Sequence, residues 1–526
     1  MPAICQQVHI SGSASGTSKM AWQPVEISPT DFNTDISPPS LPAGTVNQLS
    51  NVDFYAGVAR SLSDLSIITV PSLQPVEIQG YGRENDVYVA YCGEVQGSPA
   101  LGVYAWGSLG THIDIMPATG LTGSAYWDAT SFGKWLVVTS DTVGELPHVI
   151  SGELTTTGGK LAPLPGWQST WSCTVIKTHR NVLWVANLIE SGVEYPNRVR
   201  WSASSPTDAL PGTWLPAPAN DAGVNDLEIV GGRIVDMCAV GDVMYIGGAG
   251  GLWAARWVGG QYVYNFSQID NVSGPKGFRC MESIGQAVAV LTAVDLLIVN
   301  ENTSRSIAIG RVASIIRQFV KAEIMYIATT RQLYVFYSLV NEDGYQHAIV
   351  WDQDTDTWGK RDNPSVPIYA AAPVIIPVQS PQVIWDADNV IWDNATNPWE
   401  FSTAIQVQYM CGNGVGLYVA QNKSFNWFLS KTLIAAPNNE NIRVRSMEVD
   451  VDGIKGQQVV MRMGSSIYPG DDPSWGPQRT YTVGDGLPMR HDDIQQGRFF
   501  SFQLQGNGPC KINTVRLFMD QRKMKP

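Results

Sequence analysis

The sequence predicts an all-β protein: a β-propeller-like domain joined to a β-rich platform module built from the C-terminal segment, with the N-terminal segment as a candidate contributor. Three observations predict it. First, a short apolar core recurs as Val87-Tyr88-Val89-Ala90-Tyr91, Trp135-Leu136-Val137-Val138-Thr139, Val182-Leu183-Trp184-Val185-Ala186, Val243-Met244-Tyr245-Ile246-Gly247, Ala287-Val288-Ala289-Val290-Leu291 and Ile324-Met325-Tyr326-Ile327-Ala328. Its start-to-start spacings are 48, 47, 61, 44 and 37 residues. Repeats of roughly 40 to 50 residues suit propeller blades, small sheets that cannot bury their faces alone. Second, the cores are followed by strands such as Arg198-Val199-Arg200-Trp201, Leu252-Trp253-Ala254-Ala255-Arg256 and Leu333-Tyr334-Val335-Phe336-Tyr337, rich in residues that fit a half-buried pleated surface. Third, 50 Gly and 32 Pro in a chain that is 44% hydrophobic mean many turns around real cores. A pair of β-sandwiches with similar strand counts is the alternative.

Taken in order, residues 1–54 read as an extended N-terminal arm, Ser-, Thr- and Pro-rich, with Ser37-Pro38-Pro39-Ser40-Leu41-Pro42 at its stiffest point. Such an arm is either a tail, a cover for a neighbouring subunit or a piece of the platform. Residues 55–398 read as the propeller-like domain, closing near Ile384-Trp385-Asp386 and Ile391-Trp392-Asp393. Its strongest helix candidate is the short stretch Val312 to Val320. Residues 399–440 read as a turn-rich insertion, with Gly412-Asn413-Gly414-Val415-Gly416 and the aromatic run Phe425-Asn426-Trp427-Phe428-Leu429, a tip or contact region or plain core. Residues 441–526 form the C-terminal β module, where alternation returns in Val444-Arg445-Ser446-Met447-Glu448-Val449 and Phe499-Phe500-Ser501-Phe502-Gln503-Leu504.

Composition removes several function classes. Lys plus Arg is 34 against 47 Asp plus Glu, a formal charge of −13. Proteins that grip nucleic acid show a basic stripe, because neutralising phosphates supplies the affinity; none is visible. The seven cysteines, Cys5, Cys92, Cys173, Cys238, Cys280, Cys411 and Cys510, lie far apart with no C-x-x-C, which argues against zinc ribbons and points to a reducing compartment during folding. The longest apolar stretch, Ala287 to Val299, is interrupted by Thr292 and Asp295, so no membrane-spanning segment is expected, and no signal peptide is read at the N-terminus.

Asp352-Gln353-Asp354-Thr355-Asp356 begins like a calcium loop, but Thr357 stands where glycine is needed and Asn363 where a bidentate glutamate is needed, so a polar turn capped by Trp358 is preferred. The same stretch and Pro469-Gly470-Asp471-Asp472-Pro473-Ser474-Trp475 resemble the Asp-box turns of sialidase-like propellers, where Asp and Trp brace hairpins. The six histidines, His9, His112, His148, His179, His347 and His491, are never at metal-ligand spacing. Gly247-Gly248-Ala249-Gly250-Gly251 lies between strands and reads as a hairpin turn, not a phosphate cradle. No catalytic, cofactor-binding or metal-binding residue is assigned, and the expectation is a non-enzymatic chain without cofactor.

Asn197-Arg198-Val199-Arg200-Trp201-Ser202, followed by Pro206-Thr207-Asp208 and Trp214, resembles the "R-v-x-W-S" and "P-x-x-W" signature of tail nozzle proteins of short-tailed bacteriophages, also called tail tubular, tail hub or packaged-DNA stabilisation proteins. Gly241 to Gly248 leading to Gly251-Leu252-Trp253, and Ile349-Val350-Trp351-Asp352 through Trp358, are similar to blades of that family. Met463-Gly464-Ser465-Ser466 through Trp475, Gly484, Arg490 and Gly497-Arg498-Phe499-Phe500 are similar to its closing module. The resemblance covers roughly residues 45 to 520, and the order of these short motifs carries it. It implies a homohexameric ring below the portal and adaptor of a virion tail, assembled in the host cytoplasm, which retains packaged DNA and guides its ejection. The implied partners are the tail adaptor, tail fibre or needle proteins, and double-stranded DNA that passes without sequence-specific binding. An acidic lumen would repel phosphate and let the duplex slide, whereas acids spread over the whole surface would serve solubility. The alternative function is a carbohydrate-binding or sialidase-like virion propeller acting in receptor recognition; a cellular propeller scaffold is a third reading.

Overall fold

The computed structural model describes residues 22–520 apart from 63, 70–72, 84–85, 96–100, 107–111, 118–119, 122–125, 152–158, 207–208, 229–231, 261–262, 363–367, 378–404, 413–416, 422–425 and 487. The described chain is almost wholly β, and its antiparallel strands fall into a propeller-like array of four-stranded units beside a two-sheet platform.

Six four-stranded sheets are present among the described residues, and a seventh four-stranded unit, blade six, runs on through Val52–Tyr55 into the platform as one ten-stranded sheet. Blade one runs Leu73–Arg83, Asp86–Val95, Leu101–Trp106 and His112–Asp114; blade two runs Trp127–Phe132, Trp135–Ser140, His148–Ser151 and Ala162–Pro163. Blade three comprises Trp171–His179, Val182–Glu190, Val193–Trp201 and Gly223–Asp226; blade four comprises Ile234–Val240, Val243–Gly248, Gly251–Trp257 and Tyr264–Ile269. Blade five is Met281–Ser283, Val288–Leu291, Leu296–Val299 and Ser304–Ser306, and blade six is Lys321–Ile327, Gln332–Ser338, His347–Asp352 and Thr357–Asp362. Blade seven takes three strands from late in the chain, Ala370–Pro377, Ile405–Gly412 and Leu417–Gln421, and its fourth, Asp64–Thr69, from before blade one. The first strand of each blade touches the first strand of the next, and Ala370–Pro377 touches Leu73–Arg83, so the innermost strands close a ring.

The platform is a sandwich made from both ends of the described chain. In one sheet Cys510–Asp520 lies between Ile442–Gly453 on one side and Trp22–Ile27 with Val58–Ser61 on the other. Arg490–Gly497 forms the far edge. In the other sheet Phe499–Asn507 lies between Gln458–Ser466 and Asn426–Ala435, with Gln48–Ser50 beyond. Alternation places Val444, Met447, Val449, Val459, Met461, Phe502, Leu504, Val515 and Leu517 between the sheets, each nearly or fully buried. A bulge between Val444 and Ser446 shifts the inward phase by one residue, which is why Ser446 and Met447 are both buried. Trp351, Trp358, Leu333 and Ile349 of blade six belong to the same apolar cluster, so platform and blade share one continuous core.

Strand pairing runs across the segment limits expected from the sequence. Residues 22–62 follow the platform alternative: Trp22–Ile27, Gln48–Ser50 and Val58–Ser61 pair with platform strands, Val52–Tyr55 links Val58–Ser61 to Thr357–Asp362 of blade six, and Asn33, Thr34 and Asp35 bind the segment before blade six. The propeller strands begin at Asp64 and reach Gln421, beyond the expected limit of 398. The expected insertion at 399–440 is divided between blade seven, which takes Ile405–Gly412 and Leu417–Gln421, and the platform, which takes Asn426–Ala435. Ring closure by an early strand explains this, because no local signal reports a pairing across most of the chain. The expected closing motifs at Ile384 and Ile391 lie outside the described residues, as does Phe425. Among the repeated cores, five are second strands of their blades, but Ile324 to Ala328 is the first strand of blade six; the equivalent second strand is Gln332–Ser338. The expected helix is a single turn, Ala313–Ile316, whose Ala313 and Ser314 amides donate to the Asp35 carboxylate at 3.0 and 2.8 Å.

Candidate functional site

The described structure concentrates buried charge on the inner strands of the propeller. Each inner strand has a ladder partner on one side only, so its other edge, toward the axis, needs acceptors for its free N–H groups. Carboxylates of the preceding blade supply them. Asp128 Oδ2 accepts the Ile176 amide at 2.8 Å, Asp236 Oδ2 accepts the Met281 amide at 3.0 Å, and Glu323 Oε1 accepts the Ala371 amide at 3.2 Å. These three acids are 1%, 1% and 3% exposed, so each clasp works in a low-dielectric setting where an unpaired amide would be costly.

Cations complete the network. Lys177 Nζ donates to Asp128 at 2.7 Å, and Arg279 Nη1 donates to Glu323 at 3.0 Å. Burial opposes the charge on Lys177, but Asp128 and then Asp236 outweigh it and hold its pKa above the usual value. Burial raises the Asp236 carboxyl to about 7, with Lys177 opposing and Asp128 assisting. Burial likewise raises Glu282, to about 7, against the pull of Lys177. Burial also raises Glu323, with Arg279 opposing. Four acids and two cations therefore share the innermost strands and the residues just before them. The arrangement fastens successive blades together.

A second charged knot joins blade six to the platform. Asp53 is 1% exposed; its carboxylate receives Arg60 Nε at 2.8 Å and Nη2 at 3.0 Å, and Gln332 Nε2 at 2.8 Å. The backbone comes close here: a Cβ at Gly359 would lie 2.7 Å from the Asp53 Cα and 2.8 Å from the Val52 carbonyl oxygen. Arg311 Nη2 donates to Asp31 at 3.0 Å, and Asp31 accepts the Trp358 amide at 2.9 Å. Lys431, 2% exposed, donates to the Pro42 and Thr45 carbonyls at 2.5 and 2.6 Å, and burial pushes its pKa down to about 8.

Motifs singled out from the sequence occupy structural places. In blade three Arg200, 5% exposed, forks onto Glu190, donates to the Trp214 carbonyl at 3.2 Å and lies 4.2 Å over the Trp171 ring. Arg198 binds Glu190 and Asp226, and Trp214 is fully buried. Asp352 accepts the Asp354 and Thr355 amides and the Thr355 hydroxyl, so its carboxylate is engaged by the turn, with Trp358 buried beneath. His179 binds the Gly241 carbonyl and Tyr264, while His347 bridges Glu342 and Asp362. Among the described residues no three His, Cys, Asp or Glu side chains are gathered to hold a metal ion. No described helix is long and apolar enough to cross a membrane.

The inner-strand charges escaped sequence reasoning because they lie in different repeats. One signal was present: Asp128 and Asp236 each stand seven residues before a repeat core, at Trp135 and Val243.

No family model matches the chain, and no curated protein matches it. Among solved structures it is similar to a protein from Bacteroides uniformis provisionally described as a 6-phosphogluconolactonase, at 14% identity over 50% of this chain and 78% of that one, with a TM-score of 0.35. It is also similar to a chain of a mitotic checkpoint complex, at 10% identity over 71% of this chain and 95% of that one, with a TM-score of 0.36. Neither likeness carries an argument about what this chain does.

Proposed function

We propose that the chain is a structural subunit of a short phage tail, assembling as a homohexameric nozzle below the portal and adaptor, where it retains packaged DNA and guides its ejection. The observation that carries this reading is a two-part subunit with a shared apolar core. A propeller-like array is inserted into a sandwich built from both chain ends, and the two are joined through one core and the Asp53 knot. A ring under load from packaged DNA requires subunits that do not flex at such a joint. The order of motifs that resembles tail nozzle proteins supplies the biological setting.

A DNA duplex is too wide to thread one propeller of this size, so the conduit belongs between subunits, and closed cyclic symmetry is the usual way to build one. The formal charge of −13 suits a wall along which phosphates slide without being held. The role is structural, without catalysis or cofactor, and its site of action is the virion tail.

Electron microscopy of the purified protein with its presumed adaptor, and of virions that contain it, tests the proposal. Six copies around an axial channel, with acids facing the lumen, are expected. A peripheral location, a monomer that never joins a ring, or a basic channel overturns it.

A further inference from the structure

The platform presents a cleft of about 580 Å³ where its second sheet meets the end of blade six. It is lined by Ser50, Asn51 and Asp362 on one side and by residues of three neighbouring strands on the other. Register explains the second wall. Asn426 pairs with Asn507, Phe428 with Gln505, and Gln505 with Val460, so these side chains and that of Gln458 stand on one face of the sheet. Trp427, pointing the opposite way, is 2% exposed and closes the core beneath, packed so tightly on Gly506 that a Cβ there would come within 2.7 Å of the indole.

The chemistry of this surface is unusual for its uniformity. Asn426, Gln458, Gln505 and Asn507 are all exposed, and none of their carboxamides takes a hydrogen bond among the described residues. Each carboxamide offers two donors and an acceptor without a charge. Phe428 contributes a half-buried aromatic ring among them. No cation is among the lining residues, and the one charged lining residue is Asp362. Burial alone would raise Asp362, but His347 and Lys360 outweigh it and keep the carboxylate ionised as an acceptor. A concave site of this size suits a small ligand. A phosphate or an acidic sugar would find no lining cation free to receive it, because Lys360 at 3.0 Å and His347 at 2.6 Å are already committed to the Asp362 carboxylate. A purely apolar ligand would strand four carboxamides away from water. A polyhydroxylated neutral ligand satisfies all of these groups at once: hydroxyls donate to and accept from the carboxamides, and a sugar's C–H face rests on the Phe428 ring.

We propose that this cleft binds a neutral oligosaccharide. The inference stands apart from the nozzle reading, since it concerns a surface of the single chain, and either can fail without the other.

The test uses the full chain on an array of neutral and anionic microbial oligosaccharides, followed by titration calorimetry with the strongest hit. Retention of a neutral saccharide is expected, with affinity falling at least about tenfold in Gln505→Ala and in Asn507→Ala. Both residues are exposed, so both variants are expected to fold, which circular dichroism checks. Asn302→Ala, in the separate cleft between blades four and five, should leave affinity unchanged. An array that retains no neutral saccharide, a preference for anionic sugars, or binding that survives both cleft substitutions overturns the proposal.

Discussion

Asp128 and Asp236, two blades apart, make the same pair of hydrogen bonds. Each accepts the amide of the residue that follows it, at 3.0 Å for Ala129 and 2.9 Å for Met237, and each accepts an inner-strand amide of the next blade, Ile176 or Met281. The two carboxylates are thus quasi-equivalent clasps between successive blades, and they differ in the company they keep: Asp128 holds Lys177 directly, while Asp236 does not.

Burial gives Asp236 a pH dependence. Because the Asp236 carboxyl titrates near 7 in the folded chain against 3.8 as the ordinary value, the folded state keeps a proton that the unfolded state loses between those limits. Its contribution to stability is fully present below about pH 4 and is lost as pH rises through about 7. A tenfold change in proton affinity corresponds to about 1.4 kcal/mol. Asp236→Asn removes this titration, so the stability difference between wild type and variant should shift in the variant's favour by on the order of 2 kcal/mol from pH 5 to pH 8. Urea titrations at the two pH values measure it, and a pH-independent difference would refute the assignment.

Asp53→Ala should uncouple platform from propeller. The substitution leaves Arg60 and Gln332 without their shared acceptor in a buried joint, at a cost of about 2–4 kcal/mol. Calorimetry should show the melting profile broaden or divide, since the two parts lose the contact that makes them unfold together.

The same joint is sensitive to volume. Gly359→Val places a side chain against the Asp53 backbone, and about 1–3 kcal/mol of destabilisation is expected. Gly470→Ala is the control, because nothing lies within 4 Å of its added Cβ. Equal thermal midpoints for both variants would show that the close approach does not matter.

Arg200→Ala should weaken blade three. It strips the fork from Glu190 and the cation from the Trp171 face, leaving a carboxylate that is 11% exposed without one of its two arginines. A loss of about 3 kcal/mol is expected. Arg200→Lys should recover only part of it, because an ammonium cannot reproduce the planar fork.

Much of the fold was legible because it is written within single strands. Val182-Leu183-Trp184-Val185-Ala186 reads as a central strand on β-branched and aromatic content alone, and the structure buries every one of those five residues. The turn at Gly247 to Gly251 was legible for the same reason, as a short Gly-rich link between apolar runs. The slip at Ile324 arose because the first and second strands of blade six are both apolar and follow each other closely, so composition does not rank them. The axial clasps were hidden because a lone Asp in a strand looks the same whether it meets solvent or a neighbouring blade's amide.

The all-β class, the blade-length repeat, the scarcity of helix and the acid excess can be read from the order of amino acids, since each is a property of local pattern or of composition. The folded chain alone reveals that Asp64–Thr69 closes blade seven against Leu417–Gln421, that Trp22–Ile27 joins the platform, and that Asp53 meets Gln332. The physical reason is that side-chain alternation fixes which face of a strand is buried. The choice of partner strand depends on loop closure and shared core packing across hundreds of residues, which leave no mark on either segment alone.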